Sequence, residues 1–103
     1  MERPVVKRAH AISALKKNEE AVRKLGARAL FLYGSTARNQ ADENSDVDIF
    51  IEYDEDSKFS LMELVAIQLY LQDRLAVPVD IATRDGLHPY IREQIEAEAI
   101  CIF

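Results

Sequence analysis

The chain has 103 residues, 49% of them apolar and 30% charged, with a net charge of −5; this suits one domain over residues 1–103 and is too small for two cores. Its apolar runs are too short to span a bilayer, Met1-Glu2-Arg3-Pro4 lacks the apolar segment of a signal peptide, and the lone Cys101 leaves no internal disulfide, so a cytoplasmic protein is expected. Residues 1–28 carry eight Lys or Arg against three acids and the other 75 carry five against fifteen, a balance that argues against a polynucleotide binder, which needs many basic phosphate contacts.

In chain order, periodicity predicts a first helix from about Val5 to Leu25, with Ile12, Leu15, Val22 and Leu25 on its apolar stripe and Gly26 as its stop. A strand over Arg28–Tyr33 leads to a short helical turn near Ser35, then a polar loop over Asn39–Ser45. A second strand spans Asp46–Tyr53, followed by a solvated acidic loop, Asp54–Lys58. The next helix runs from Ser60 to Leu75, with Ser60 and Glu63 spaced as a capping box. Its apolar residues cover more than half its circumference, so it is either buried between other elements or left open on one side for a partner. A third strand over Val77–Thr83, a turn at Asp85-Gly86, a helix over Pro89–Glu98 with Ile91 and Ile95 inward, and an edge strand over Ala99–Phe103 complete the chain. His10 and His88 lack metal-ligand spacing and read as surface or helix-start residues, and Cys101 between Ile100 and Ile102 reads as a core or edge residue. The expected architecture is α/β (α+β): a small mixed β-sheet with helices packed on one face and carboxylates on the other.

One pattern carries chemistry. Leu32-Tyr33-Gly34-Ser35 ends a strand in a Gly-Ser turn, and after ten intervening residues a second strand opens as Asp46-Val47-Asp48-Ile49. Strand residues i and i+2 share a face, so Asp46 and Asp48 project together while Val47, Ile49 and Ile51 turn to the core. Paired carboxylates repel unless a cation or proton lies between them, and hard oxygen ligands suit Mg²⁺ or Mn²⁺ with phosphate oxygens. Exposed N–H groups and a hydroxyl at the Gly-Ser turn suit a phosphate. Together these features read as a metal–nucleotide site; the plainer alternative is a polar strand entrance that blunts a sheet edge.

Gly34-Ser35-Thr36-Ala37-Arg38, together with Ser45-Asp46-Val47-Asp48-Ile49, resembles the core motif of the DNA polymerase β-like nucleotidyltransferase superfamily, in its smallest branch, the minimal nucleotidyltransferases (MNT). The resemblance extends from about Ala29 to the C-terminus, and the branch's third carboxylate matches Asp80 within Val79-Asp80-Ile81. Asn39 stands where many members have glycine, and asparagine tolerates a left-handed backbone.

The resemblance implies catalytic, metal-holding Asp46, Asp48 and Asp80: one Mg²⁺ on Asp46, Asp48 and the triphosphate, a second shared with Asp80 and the attacking hydroxyl. It implies that Gly34 and Ser35 grip the β and γ phosphates and that Arg38 neutralises charge on pyrophosphate, with an ion pair to an acid such as Asp42 as Arg38's alternative role. It further implies ATP as substrate and a helical HEPN-type toxin as partner, AMP passing to a tyrosine of that partner so that the chain acts as antitoxin. A homo-oligomer is compatible with this. A second reading, a non-catalytic nucleotide-binding module that neutralises its partner by contact, stands beside the enzyme.

Overall fold

The computed structural model describes residues 5–103; Met1-Glu2-Arg3-Pro4, and the expectation resting on it, lie outside the described residues. Two helices open the chain, α1 (Arg8–Lys17) and α2 (Glu19–Lys24), in place of the single helix expected from Val5 to Leu25. The break falls at Asn18, whose side-chain amide donates to the Ala14 carbonyl at 2.7 Å while its oxygen accepts from the Tyr70 hydroxyl at 3.0 Å. A short polar side chain that bonds its own backbone competes with the helix ladder. The apolar stripe nonetheless continues across the break, with Leu15 and Val22 fully buried.

Strand β1 (Ala27–Tyr33) passes directly into the one-turn helix α3 (Gly34–Ala37), and β2 (Val47–Tyr53) returns antiparallel to it. Helix α4 (Leu61–Leu75) is the crossover to β3 (Val79–Thr83), which runs parallel to β2; parallel neighbours require a connection of this kind. The capping box is present: Met62 N–H donates to Ser60 Oγ at 3.3 Å, and Ser60 N–H to Glu63 Oε2 at 2.8 Å. β3 starts at Val79 rather than Val77, after Pro78, which has no N–H to give to a ladder, although the Pro78 carbonyl accepts from Val47 N–H. A 3₁₀ turn (Arg84–Gly86), helix α5 (Pro89–Glu98) and edge strand β4 (Ile100–Cys101) follow. The four-stranded mixed sheet has the order β3-β2-β1-β4.

Alternation along the strands sends Leu30, Leu32, Ile49 and Ile51 to one face, where Leu15 and Val22 of the first helices and Ile67, Leu71 and Leu75 of α4 cover them. Leu15, Val22, Ile49 and Ile51 are the residues expected there. One helix departs from the one-sided packing: α5 lies on the opposite face, where Ile95 and Leu87 close over Phe50 with Phe31 and Tyr33 alongside. Phe31 and Phe50 stack at 4.7 Å, and the Arg84 guanidinium lies over both rings while pairing with Glu52 and Glu96. Ile91, expected inward, is 48% exposed; Leu87 rather than Ile91 joins Ile95 beside Phe50. No helix among the described residues is long and apolar enough to cross a membrane.

Candidate active site

The site forms where β1 turns into α3 at the mouth of β2 and β3. Gly34 has φ +75°, a left-handed conformation that favours glycine, and a Cβ there would run into the Asp48 carboxylate, whose carboxyl carbon would lie 3.1 Å away. The antiparallel register places Tyr33 opposite Asp48, and the parallel register places Asp48 opposite Asp80. Neighbouring strands are about 4.8 Å apart and register partners share a face, so Asp48 and Asp80 stand side by side. Asp46 lies just before β2 and is exposed, as is Asp80; Asp48 is half-buried.

Asp48 shows how strongly the site resists its own charge. Burial, then Asp80 and Asp46, push its carboxyl up to about 6, against a smaller opposing pull from Arg38. Tyr33 is pushed up to about 12 by burial and then by Asp48, Asp80 and Glu98. Concentrated negative potential at a half-buried carboxylate calls for a cation. Among the described residues no three His, Cys, Asp or Glu side chains stand close enough to enclose a metal ion by themselves. Mg²⁺, however, takes one or two carboxylates and completes its shell with phosphate oxygens and water. The Asp48–Asp80 pair fits that donor set, and Asp46 is close enough to raise the Asp48 carboxyl.

On the α3 side, the Gly34 N–H donates to Glu98 Oε1 at 3.1 Å. Arg38 Nη1 donates to both Glu98 oxygens, at 3.2 and 3.0 Å, and its Nε to Gln40 Oε1 at 3.1 Å. The acid that meets Arg38 is therefore Glu98, sixty residues away, and not the nearby Asp42. Asn39 takes the left-handed backbone its position requires, with φ 59°. Ser35 is half-buried, and its carbonyl accepts from Gln40 N–H at 2.8 Å, closing the turn. Beside it the Thr36 hydroxyl is buried with no partner among the described residues.

The structure thus brings Gly34, Arg38, Asp48 and Asp80 around one end of the sheet, with Ser35 in the same turn and Asp46 at its entrance. Sequence reasoning missed Glu98 and Tyr33. Tyr33 could have been found from its place immediately before Gly34; nothing near Glu98 in sequence signals its contact with the turn.

A mixed sheet with paired aspartates beside a Gly-Ser turn defines a nucleotidyltransferase. The family of the nucleotidyltransferase domain matches residues 15–102, and the chain belongs to it, in the minimal nucleotidyltransferase branch. It is 38% identical over 88 residues to MJ0126 of Methanocaldococcus jannaschii, a candidate protein adenylyltransferase by name, covering 84% of this chain and 88% of that one. It is 30% identical over 79 residues to the protein adenylyltransferase MntA of Thermococcus cleftensis, covering 77% and 78%. A solved structure described as a candidate minimal nucleotidyltransferase superposes with a TM-score of 0.71 at 35% identity, covering 86% of this chain and 93% of that one. The fold, at 16% identity, is also that of a chain in the solved complex of tri-AMPylated Shewanella oneidensis HEPN toxin with MNT antitoxin, with a TM-score of 0.58 and coverage of 85% and 71%.

Proposed function

We propose that the protein transfers AMP from ATP to a tyrosine hydroxyl of a helical HEPN-type toxin and so acts in the cytoplasm as its antitoxin. The observation that carries this reading is the in-register Asp48–Asp80 pair set against a turn whose Gly34 N–H and Arg38 already grip an anion. The names of its relatives, protein adenylyltransferases, support AMP as the group transferred.

In the proposed reaction the acceptor oxygen attacks the α-phosphorus of ATP, the bond to the bridging oxygen of the β-phosphate breaks, and pyrophosphate leaves. The hydroxyl proton passes to the Asp80 carboxylate. Gly34 N–H and Ser35 hold the β and γ phosphates, and Arg38 neutralises the charge that builds on the leaving group. Asp46, Asp48 and Asp80 are the residues that would hold Mg²⁺ or Mn²⁺, which when bound offsets charge on the entering and leaving oxygens. The toxin would dock on α4, where Leu61, Met62, Val65 and Leu69 are exposed.

The test is to incubate the protein with Mg²⁺-ATP and its cognate helical partner, then weigh both chains. The partner is expected to gain one or more AMP units with release of pyrophosphate. A partner of constant mass in a complex that still forms would replace this reading with that of a non-catalytic module acting by contact.

A further inference from the structure

The Glu98 carboxylate is bound in a manner that a structural ion pair does not require. It ends α5, on the carboxylate face of the sheet, and reaches to the turn after β1. There it accepts from the Gly34 backbone N–H and, through both oxygens, from Arg38. A carboxylate that receives one backbone N–H and two bonds from a guanidinium nitrogen is held as a phosphate oxygen pair would be. The same two donors are the ones assigned above to the triphosphate.

We infer that Glu98 is an internal stand-in for phosphate: its carboxylate fills the triphosphate's seat on Gly34 and Arg38, and nucleotide must displace it to bind. This rests on the nucleotide site proposed above and adds a residue that sets its affinity. A seat that is free only part of the time weakens apparent binding in proportion to the time it is filled. Glu98 also adds to the negative potential at Asp48 and Tyr33, so its displacement moves a negative charge away from the Gly34 side as the triphosphate arrives. A bond from a side chain needs only a rotamer change to open, and the Glu98 side chain is already 32% exposed.

Calorimetry with Mn²⁺-ATP on the full chain tests this in wild type, Glu98→Gln, Glu98→Ala and Glu93→Gln, the last an equal charge change at an exposed position of the same helix. Both Glu98 variants are expected to bind at least about fivefold tighter, and Glu93→Gln to stay within about twofold of wild type. Folded Glu98 variants with equal or weaker binding would overturn the inference, making Glu98 a brace that aligns Arg38, while leaving the nucleotide site intact. An equal gain in Glu93→Gln would overturn it too, since the effect would then be one of general charge. Absence of binding in wild type and variants alike would remove the nucleotide site itself. Should the variants fail to fold, the wild-type Glu98 side-chain carboxyl resonance serves during titration with Mn²⁺-free tripolyphosphate. It is expected to move toward that of a solvated glutamate, and an unmoved resonance at saturating tripolyphosphate overturns the inference.

Discussion

Asp48 is half-buried, faces Asp80 across a strand pair and lies against a glycine with no room for a side chain. Its carboxyl, pushed up to about 6 in the folded state, has an ordinary value of 3.8 when unfolded. The folded protein therefore holds a proton that the unfolded chain releases, and stability falls as pH rises from about 4 to 6. Above that window the Asp48 charge is fully present and unfavourable unless a cation shares it. Asp48→Asn is expected to raise the melting temperature at pH 7 without metal, by about 1 kcal/mol of stability once solvent screening is allowed for. The same variant is expected to lose Mn²⁺-ATP binding, and unchanged affinity by calorimetry would sink the site assignment. Asp80 is exposed and acts later in the proposed reaction. Asp80→Asn is expected to keep much of the nucleotide affinity while single-turnover transfer to the partner drops by about two orders of magnitude or more; near-normal transfer would mean that the third carboxylate is elsewhere.

Helix α4 has two apolar faces with different fates. Ile67, Leu71 and Leu75 are buried against the sheet, while Leu61, Met62 and Leu69 are 72%, 81% and 58% exposed. The sequence shows how wide the apolar arc is; it does not show which part the sheet will cover. That choice depends on how α4 rolls as it connects β2 to β3. Leu69→Glu is expected to change stability by no more than about 0.5 kcal/mol, because the side chain gives up little burial. Its effect should fall on the proposed complex: at least about tenfold weaker association with the proposed toxin partner by calorimetry, with ATP affinity unchanged. Unchanged association would move the docking surface off this helix. The exposed histidines play minor parts, His88 as the cap of α5, where its Nδ1 accepts from Tyr90 N–H at 3.3 Å. Cys101 is exposed on the edge strand.

Across the whole molecule, the proposed catalytic groups gather at one end of the sheet, while α5 covers the Phe50 region of the same face and leaves Asp46 and Asp80 exposed. The proposed acceptor must then be oriented largely by its own protein. With Mg²⁺-ATP alone, turnover is expected to be very slow. Adding the proposed toxin partner should accelerate pyrophosphate release by orders of magnitude, since orienting a hydroxyl in line with phosphorus lowers a barrier by about 7–11 kcal/mol. Equal pyrophosphate release with and without the toxin would show that the chain holds its own acceptor.

Features written within a few residues were legible in the sequence alone: the Gly34 turn, the left-handed Asn39, the Ser60–Glu63 cap and the alternation that buries Ile49 and Ile51. Each follows from local sterics, one short-range hydrogen bond or the period of a strand. Asp80 was singled out through the family resemblance, as one acid on a later strand, and only the parallel register put it beside Asp48. The side taken by α5, the exposure of Ile91 and the bond of Glu98 to Gly34 and Arg38 were decided by tertiary structure. These join segments up to sixty-four residues apart, and such contacts depend on which apolar surfaces close over one another, a choice no local window of the chain contains.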